Sequence, residues 1–224
     1  MDAAALALSL RLSALTTAIL LAVGLPLAWW LTASRFRGKF LVEAVVALPL
    51  VLPPTVLGFY LLTGLAPHTP AGRLFEAIAG HPFPFSFEGL LVASVLYSLP
   101  FAVQPFAAAL AGVDRRLVEA SHTLGASPLA TFFRVTLPLA WPGVLAGAVL
   151  TFAHTLGEFG VVLMVGGNIP GRTRTLSVAI FDHVEALDYG AAHRTAGLLL
   201  AISFAVLTLV YALQRRPAFR WTGR

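Results

Sequence analysis

Five stretches of this chain, residues 12–31, 40–64, 89–111, 139–165 and 191–213, are too long and too apolar for a domain that folds in water. A run of about 20 residues makes about 30 Å of helix, the depth of a bilayer's hydrocarbon core. In lipid the backbone N–H and C=O groups must be paired within the segment, so runs of this kind fold as helices. Composition agrees, with 58% apolar residues, 11% charged residues and a mean hydropathy of +0.85. Soluble domains carry about 25% charged residues. The expected fold is all-α, a polytopic membrane protein with about five transmembrane helices in a single domain over residues 1–224.

The ends and breaks of these runs carry further signals. A signal peptide is a poor reading of the first run, because Arg35, Arg37 and Lys39 follow it instead of preceding it and it exceeds an h-region in length. Residues 3–11 are also mostly apolar around Arg11, which leaves an interfacial lead-in helix or a sixth span open. Pro49, Pro53 and Pro54 interrupt the second run. Proline frees a carbonyl that neighbouring protein or water must satisfy; a packing kink is the ordinary reading, and a broken helix along a pathway is the functional one. Residues 65–88, with four prolines around a short amphipathic piece from Arg73 to Ala79, and residues 166–190 read as structured loops outside the membrane.

Ten of the fifteen Lys and Arg residues flank one set of span ends: Arg35, Arg37, Lys39, Arg115, Arg116, Arg134, Arg215, Arg216, Arg220 and Arg224. Basic residues gather on the cytoplasmic side, so the amino terminus is expected outside and the carboxyl terminus inside. The net charge of +5 sits in short clusters between apolar runs, a topology signal, and nucleic acid is not an expected partner. With no cysteine, disulfides, thiolate metal sites and cysteine catalysis are excluded.

One polar stretch, residues 112–138, stands apart. In it Gly125 can stop a short helix by adopting a positive φ, and Ser127 with Pro128 has the signature of a new helix start. Leu129, Phe132 and Phe133 would form an apolar ridge before Leu137-Pro138 ends the element. Glu119-Ala120-Ser121, three residues, Gly125, nine residues, then Val135-Thr136-Leu137-Pro138 resembles the EAA loop of ABC importer permeases, with Ser121 and Val135 as mild departures. Leu48 to Gly58, Leu156 to Gly160 and Gly167 to Thr175 look like the permease subunits of molybdate importers, and the resemblance covers about residues 8 to 213.

The resemblance implies a type I importer permease for molybdate or tungstate in a bacterial or archaeal plasma membrane. It further implies a homodimer, two ABC ATPase subunits that bind ATP and Mg, and an external oxyanion-binding protein. Glu119, Ala120, Gly125, Phe132, Phe133, Leu137 and Pro138 would couple to the ATPase. Pro53, Pro54, Thr55 and Glu158 are candidates for a pathway or gate, and Arg172 and Arg174 for an external contact with an anion or acidic partner, although an ordinary solvated pair fits them equally. A sulfate permease is the alternative within the class, and an ATP-independent secondary anion transporter the alternative outside it. The chain itself has no G-x-x-x-x-G-K-[ST] phosphate loop, so no cofactor, metal or catalytic residue is expected in it. Five spans are also few to enclose a solute path, which a two-fold dimer remedies. His154 and Glu158, four apart, would share a helical face; a proton relay is one use of such a pair, and a structural tie to the adjoining loop the more economical one.

Overall fold

The computed structural model describes residues 2–214; the basic tail from residue 215 lies outside the described residues. Asp2 accepts a hydrogen bond from the Ala5 N–H at 3.0 Å and starts α1, Ala3–Ala33. Residues 3–11 are the first turns of this one long helix, neither a separate lead-in nor a sixth span.

The second run, expected as one span over residues 40–64, is two helices, α2 (Lys39–Val51) and α3 (Pro54–Gly64). Leu52 and Pro53 each precede a proline, a position that disfavours helical backbone, and take ψ of 135° and 138°. Two extended residues in succession bend the axis by 112°. At 13 and 11 residues neither half alone crosses a core about 30 Å thick.

After α4 (Pro70–Ala79), capped by Thr69, α5 spans Phe87–Ala111 behind a Ser86 cap. The connector holds α6 (Arg115–Thr123) and the short α7 (Pro128–Thr131), and a single wide π-type turn, Phe132–Thr136, carries α7 into α8, Leu137–Gly157. Leu137-Pro138 therefore does not end the element. A proline in a regular helix clashes with the carbonyl four residues back; the wide turn, in which the Leu137 N–H reaches the Phe132 carbonyl, lets the helix pass through. The fourth span, expected to run to residue 165, stops at Gly157, and Gly160–Gly166 is a separate helix, α9. The loop over residues 166–190 contains α10 (Leu176–Glu185), and α11 runs over Tyr189–Gln214.

The protein is all-α, with no strand among the described residues. Among the described residues four helices are long and apolar enough to cross a membrane, and the count is five if the bent α2–α3 pair is one broken span. The core lies where α1, α5 and α8 meet, around Leu20, Ala28, Val103, Phe106 and Val144. Helices in lipid gain little from hydrophobic burial against one another, so close packing of small residues carries their association. Phe106 is fully buried, and Gly147 of α8 makes room for it: a Cβ there would lie 2.8 Å from the ring. At the other end Ser9 of α1 accepts a hydrogen bond from the Leu176 N–H at 2.8 Å, which fastens the start of α10.

Candidate functional site

The connector is built by local rules. Asp114 accepts from the Arg116 N–H at 2.9 Å to open α6. Gly125, at φ +83°, closes it: the Gly125 N–H meets the His122 carbonyl at 2.9 Å and the Ala126 N–H meets the Ser121 carbonyl at 3.1 Å. These paired bonds are those of a left-handed helix stop, which favours glycine. Ser127 then accepts from the Ala130 N–H at 3.2 Å and starts α7 with Pro128 in its first turn. Ser121 has a use: its hydroxyl lies 3.0 Å from that of Thr131 and ties the two short helices together.

The expected apolar ridge is divided. Phe132 is buried, with its ring centroid 4.7 Å from that of Trp29 on α1, so it anchors the connector to its own chain. Phe133 (58% exposed), Leu129 and Leu124 face outward, and Leu124, at 88% exposure, is the tip. Glu119, Ala120 and Pro138 are exposed, and Leu137 is half-buried.

The four pathway candidates lie at two helix breaks that touch through neighbouring residues. Glu158 is not on the His154 face of α8; it occupies a break, with its backbone extended at ψ 134°. Its carboxylate accepts from the Val161 N–H at 3.1 Å, satisfying one of the free donors at the start of α9, and its carbonyl accepts from the Ser177 hydroxyl. The other carboxylate oxygen is buried without a hydrogen-bond partner among the described residues. His154 is held elsewhere, stacked on Phe101 at 3.7 Å with Nδ1 at 3.0 Å from the Ser98 hydroxyl. This break lies against the other one. Gly160 abuts Pro54, and Gly58 abuts Met164, each so closely that an added Cβ would lie 2.6 Å from the neighbour's Cβ. Pro53 and Thr55 are exposed beside that contact.

On the loop before α10 the two arginines differ. Arg174 is engaged, 3.1 Å from Asp182 and donating to Asn168, whereas Arg172 is exposed and forms no ion pair among the described residues.

Two broken helices in contact and a shaped polar connector between two spans belong to a known membrane architecture. Residues 14–218 match the family described as binding-protein-dependent transport system inner membrane component. The chain belongs to that family. The molybdenum transport system permease protein of Azotobacter vinelandii is 56% identical, over 97% of this chain and 96% of that protein. A probable sulfate transport system permease protein of Chlorokybus atmophyticus is 37% identical, over 82% of this chain and 64% of that protein. Among solved structures, an inward-facing form of the MetNI methionine ABC transporter aligns with a TM-score of 0.74 at 19% identity, covering 93% of this chain and 92% of the matched chain. At that identity the likeness is one of fold.

Several groups that shape this permease gave no sequence signal. Ser98 joins α5 to α8 through both His154 and Thr155, and Ser177 reaches back 19 residues to the Glu158 break. Lys39, legible only as a flanking charge, donates to the Leu31 carbonyl at 3.1 Å and satisfies an open end of α1. Only contacts between distant segments distinguish these from ordinary loop and span residues.

Proposed function

We propose that this chain is the transmembrane subunit of an ATP-driven molybdate importer. The observation that carries this reading is the 56% identity, across nearly both full lengths, to a molybdenum transport permease. The lower identity and partial coverage of the sulfate permease relative favour molybdate over sulfate.

In the mechanism, two copies of the chain enclose the path on a two-fold axis, and an external binding protein delivers the anion. Each connector docks on an ATPase subunit that supplies ATP and Mg, with Leu124, Leu129 and Phe133 as its outward apolar contacts. The Gly125 stop fixes the angle between α6 and α7. Because α7 continues without a break into α8, displacement of the connector moves α8 as a rod, and the α8–α9 break against the α2–α3 bend is where that movement opens or closes the path. The basic span ends support a cytoplasmic position for the connector.

The test is uptake of radiolabelled molybdate by cells that lack their own molybdate permease and carry this chain with its ATPase and binding protein. Uptake should be restored and resist excess sulfate. Gly125→Val, which places a branched residue where φ is +83°, introduces about 1–3 kcal/mol of local strain. It should insert normally yet fail to restore uptake. Sulfate-sensitive uptake would favour the sulfate reading, and full transport by Gly125→Val would remove the connector from the mechanism.

A further inference from the structure

A cavity of about 1120 Å³ opens between the ends of α1 and α5, the start of α2 and the connector helix α6. Its lining is divided in character. Val46 and Val103, both buried, form an apolar floor with Ala47 and Ala107. The remainder is charged: Arg35, Lys39 and Arg115 on one hand, Glu43 and Glu119 on the other. None of these five charges closes an ion pair among the described residues. Of the five, only Lys39 makes a side-chain hydrogen bond among the described residues, to the Leu31 carbonyl. Arg35, Glu43, Arg115 and Glu119 are exposed at the rim, so their charged ends are available to a ligand.

The space and its charges describe an occupant. The cavity exceeds the roughly 300–1000 Å³ of drug-sized pockets and is far larger than one tetrahedral oxyanion needs. Two carboxylates in the wall would repel a dianion, which disfavours the transported anion. Basic pockets between helices at the membrane boundary recognise lipid headgroups, and the tryptophan in the lining, Trp29, is of the type enriched at that depth. Three cations with two carboxylates complement a headgroup that carries both a phosphate and an ammonium.

We propose that this cavity binds an aminophospholipid, with the phosphate among Arg35, Lys39 and Arg115, the ammonium at Glu43 and Glu119, and the start of an acyl chain on the apolar floor. The bound lipid joins the ends of three spans to the first connector helix. The N–H groups of ethanolamine are required, because the methylated ammonium of choline cannot donate and glycerol carries no positive charge.

The full-length chain in nanodiscs of equimolar phosphatidylethanolamine, phosphatidylglycerol and phosphatidylcholine, released into native mass spectrometry, reads which lipid stays bound. Phosphatidylethanolamine should be retained over the other two by about tenfold, the ratio that one charge-assisted hydrogen bond supplies. Glu43→Gln should cut the preference over phosphatidylglycerol to about twofold or less while lipid remains bound, and Arg35→Gln with Arg115→Gln should lower retention of all three. Glu43 and Arg115 are exposed, so these variants leave the core intact. Equal retention of the three lipids, an unchanged preference in Glu43→Gln, or no retained lipid would overturn the proposal. So would displacement of the lipid by submillimolar molybdate, which would assign the cavity to the transported anion. The wild-type preference and the molybdate competition decide the matter even if a variant fails to fold.

Discussion

Gly160 packs against Pro54 so tightly that a methyl group on the glycine would lie 2.6 Å from the proline Cβ. The contact joins two helix starts that follow two breaks, and it leaves no room for either start to move closer to the other. Gly160→Ala should therefore force α9 off α3. Overpacking of this kind costs typically about 1–3 kcal/mol, read as a lower midpoint in thermal unfolding in detergent, and ATP-driven uptake should fall more than stability does. An alanine variant with the wild-type midpoint and uptake would show that the two breaks are not mechanically joined.

The two adjacent phenylalanines of the connector should behave oppositely. Phe132 is buried on Trp29, and truncating a buried Phe costs about 3–5 kcal/mol in a core. Phe132→Ala should lower the unfolding midpoint of the isolated permease, whereas Phe133→Ala, at an exposed position, should leave it unchanged and weaken co-purification with the ATPase. If Phe132→Ala were stable and lost only ATPase binding, both rings would belong to one docking ridge.

How much of this was readable in the chain depends on the range of the interactions involved. The Gly125 stop and the Ser127-Pro128 start are fixed by neighbours within a few residues, and both were legible. The Pro53-Pro54 bend was legible as an interruption but not as a 112° turn, since proline specifies local backbone and not the path of the chain beyond it. The division of Phe132 from Phe133 was hidden, because the wide turn begins at Phe132 and shifts the helical phase that the spacing assumed. The break at Glu158 was hidden for another reason: residues 150–165 continue an apolar pattern, and what holds the break is the Val161 N–H and a hydroxyl from Ser177 on another helix.

Glu158 distinguishes a cap from a relay. As the acceptor for the Val161 N–H it can be replaced by glutamine, whose side-chain carbonyl accepts the same bond, but not by alanine. Loss of a helix-starting acceptor costs about 0.5–2 kcal/mol. Glu158→Gln should keep the thermal midpoint and transport at least half as fast as wild type, while Glu158→Ala should lose both. Abolished transport in a folded Glu158→Gln protein would require the carboxylate's charge and revive the relay.

The permease should hold its anion weakly. Residues 12–31, 40–64, 89–111, 139–165 and 195–213 contain no Lys or Arg, and a dianion stripped of water needs several fixed donors or cations. Equilibrium binding of radiolabelled molybdate to the permease with its ATPase, without binding protein, should show a Kd weaker than about 1 μM. A tighter saturable site would identify donors in the path, with Arg172 the first residue to replace because Arg174 is already paired with Asp182.

Reconstitution tests the central claim most directly. The permease, its ATPase and its binding protein are assembled in proteoliposomes, and radiolabelled molybdate entering the lumen is counted with and without ATP and with and without the ATPase. Uptake should require all three proteins and ATP, and a hundredfold excess of sulfate should leave most of it intact. Molybdate uptake down its gradient by the permease alone, indifferent to ATP and the ATPase, would contradict an ATP-driven importer and make the chain a secondary transporter.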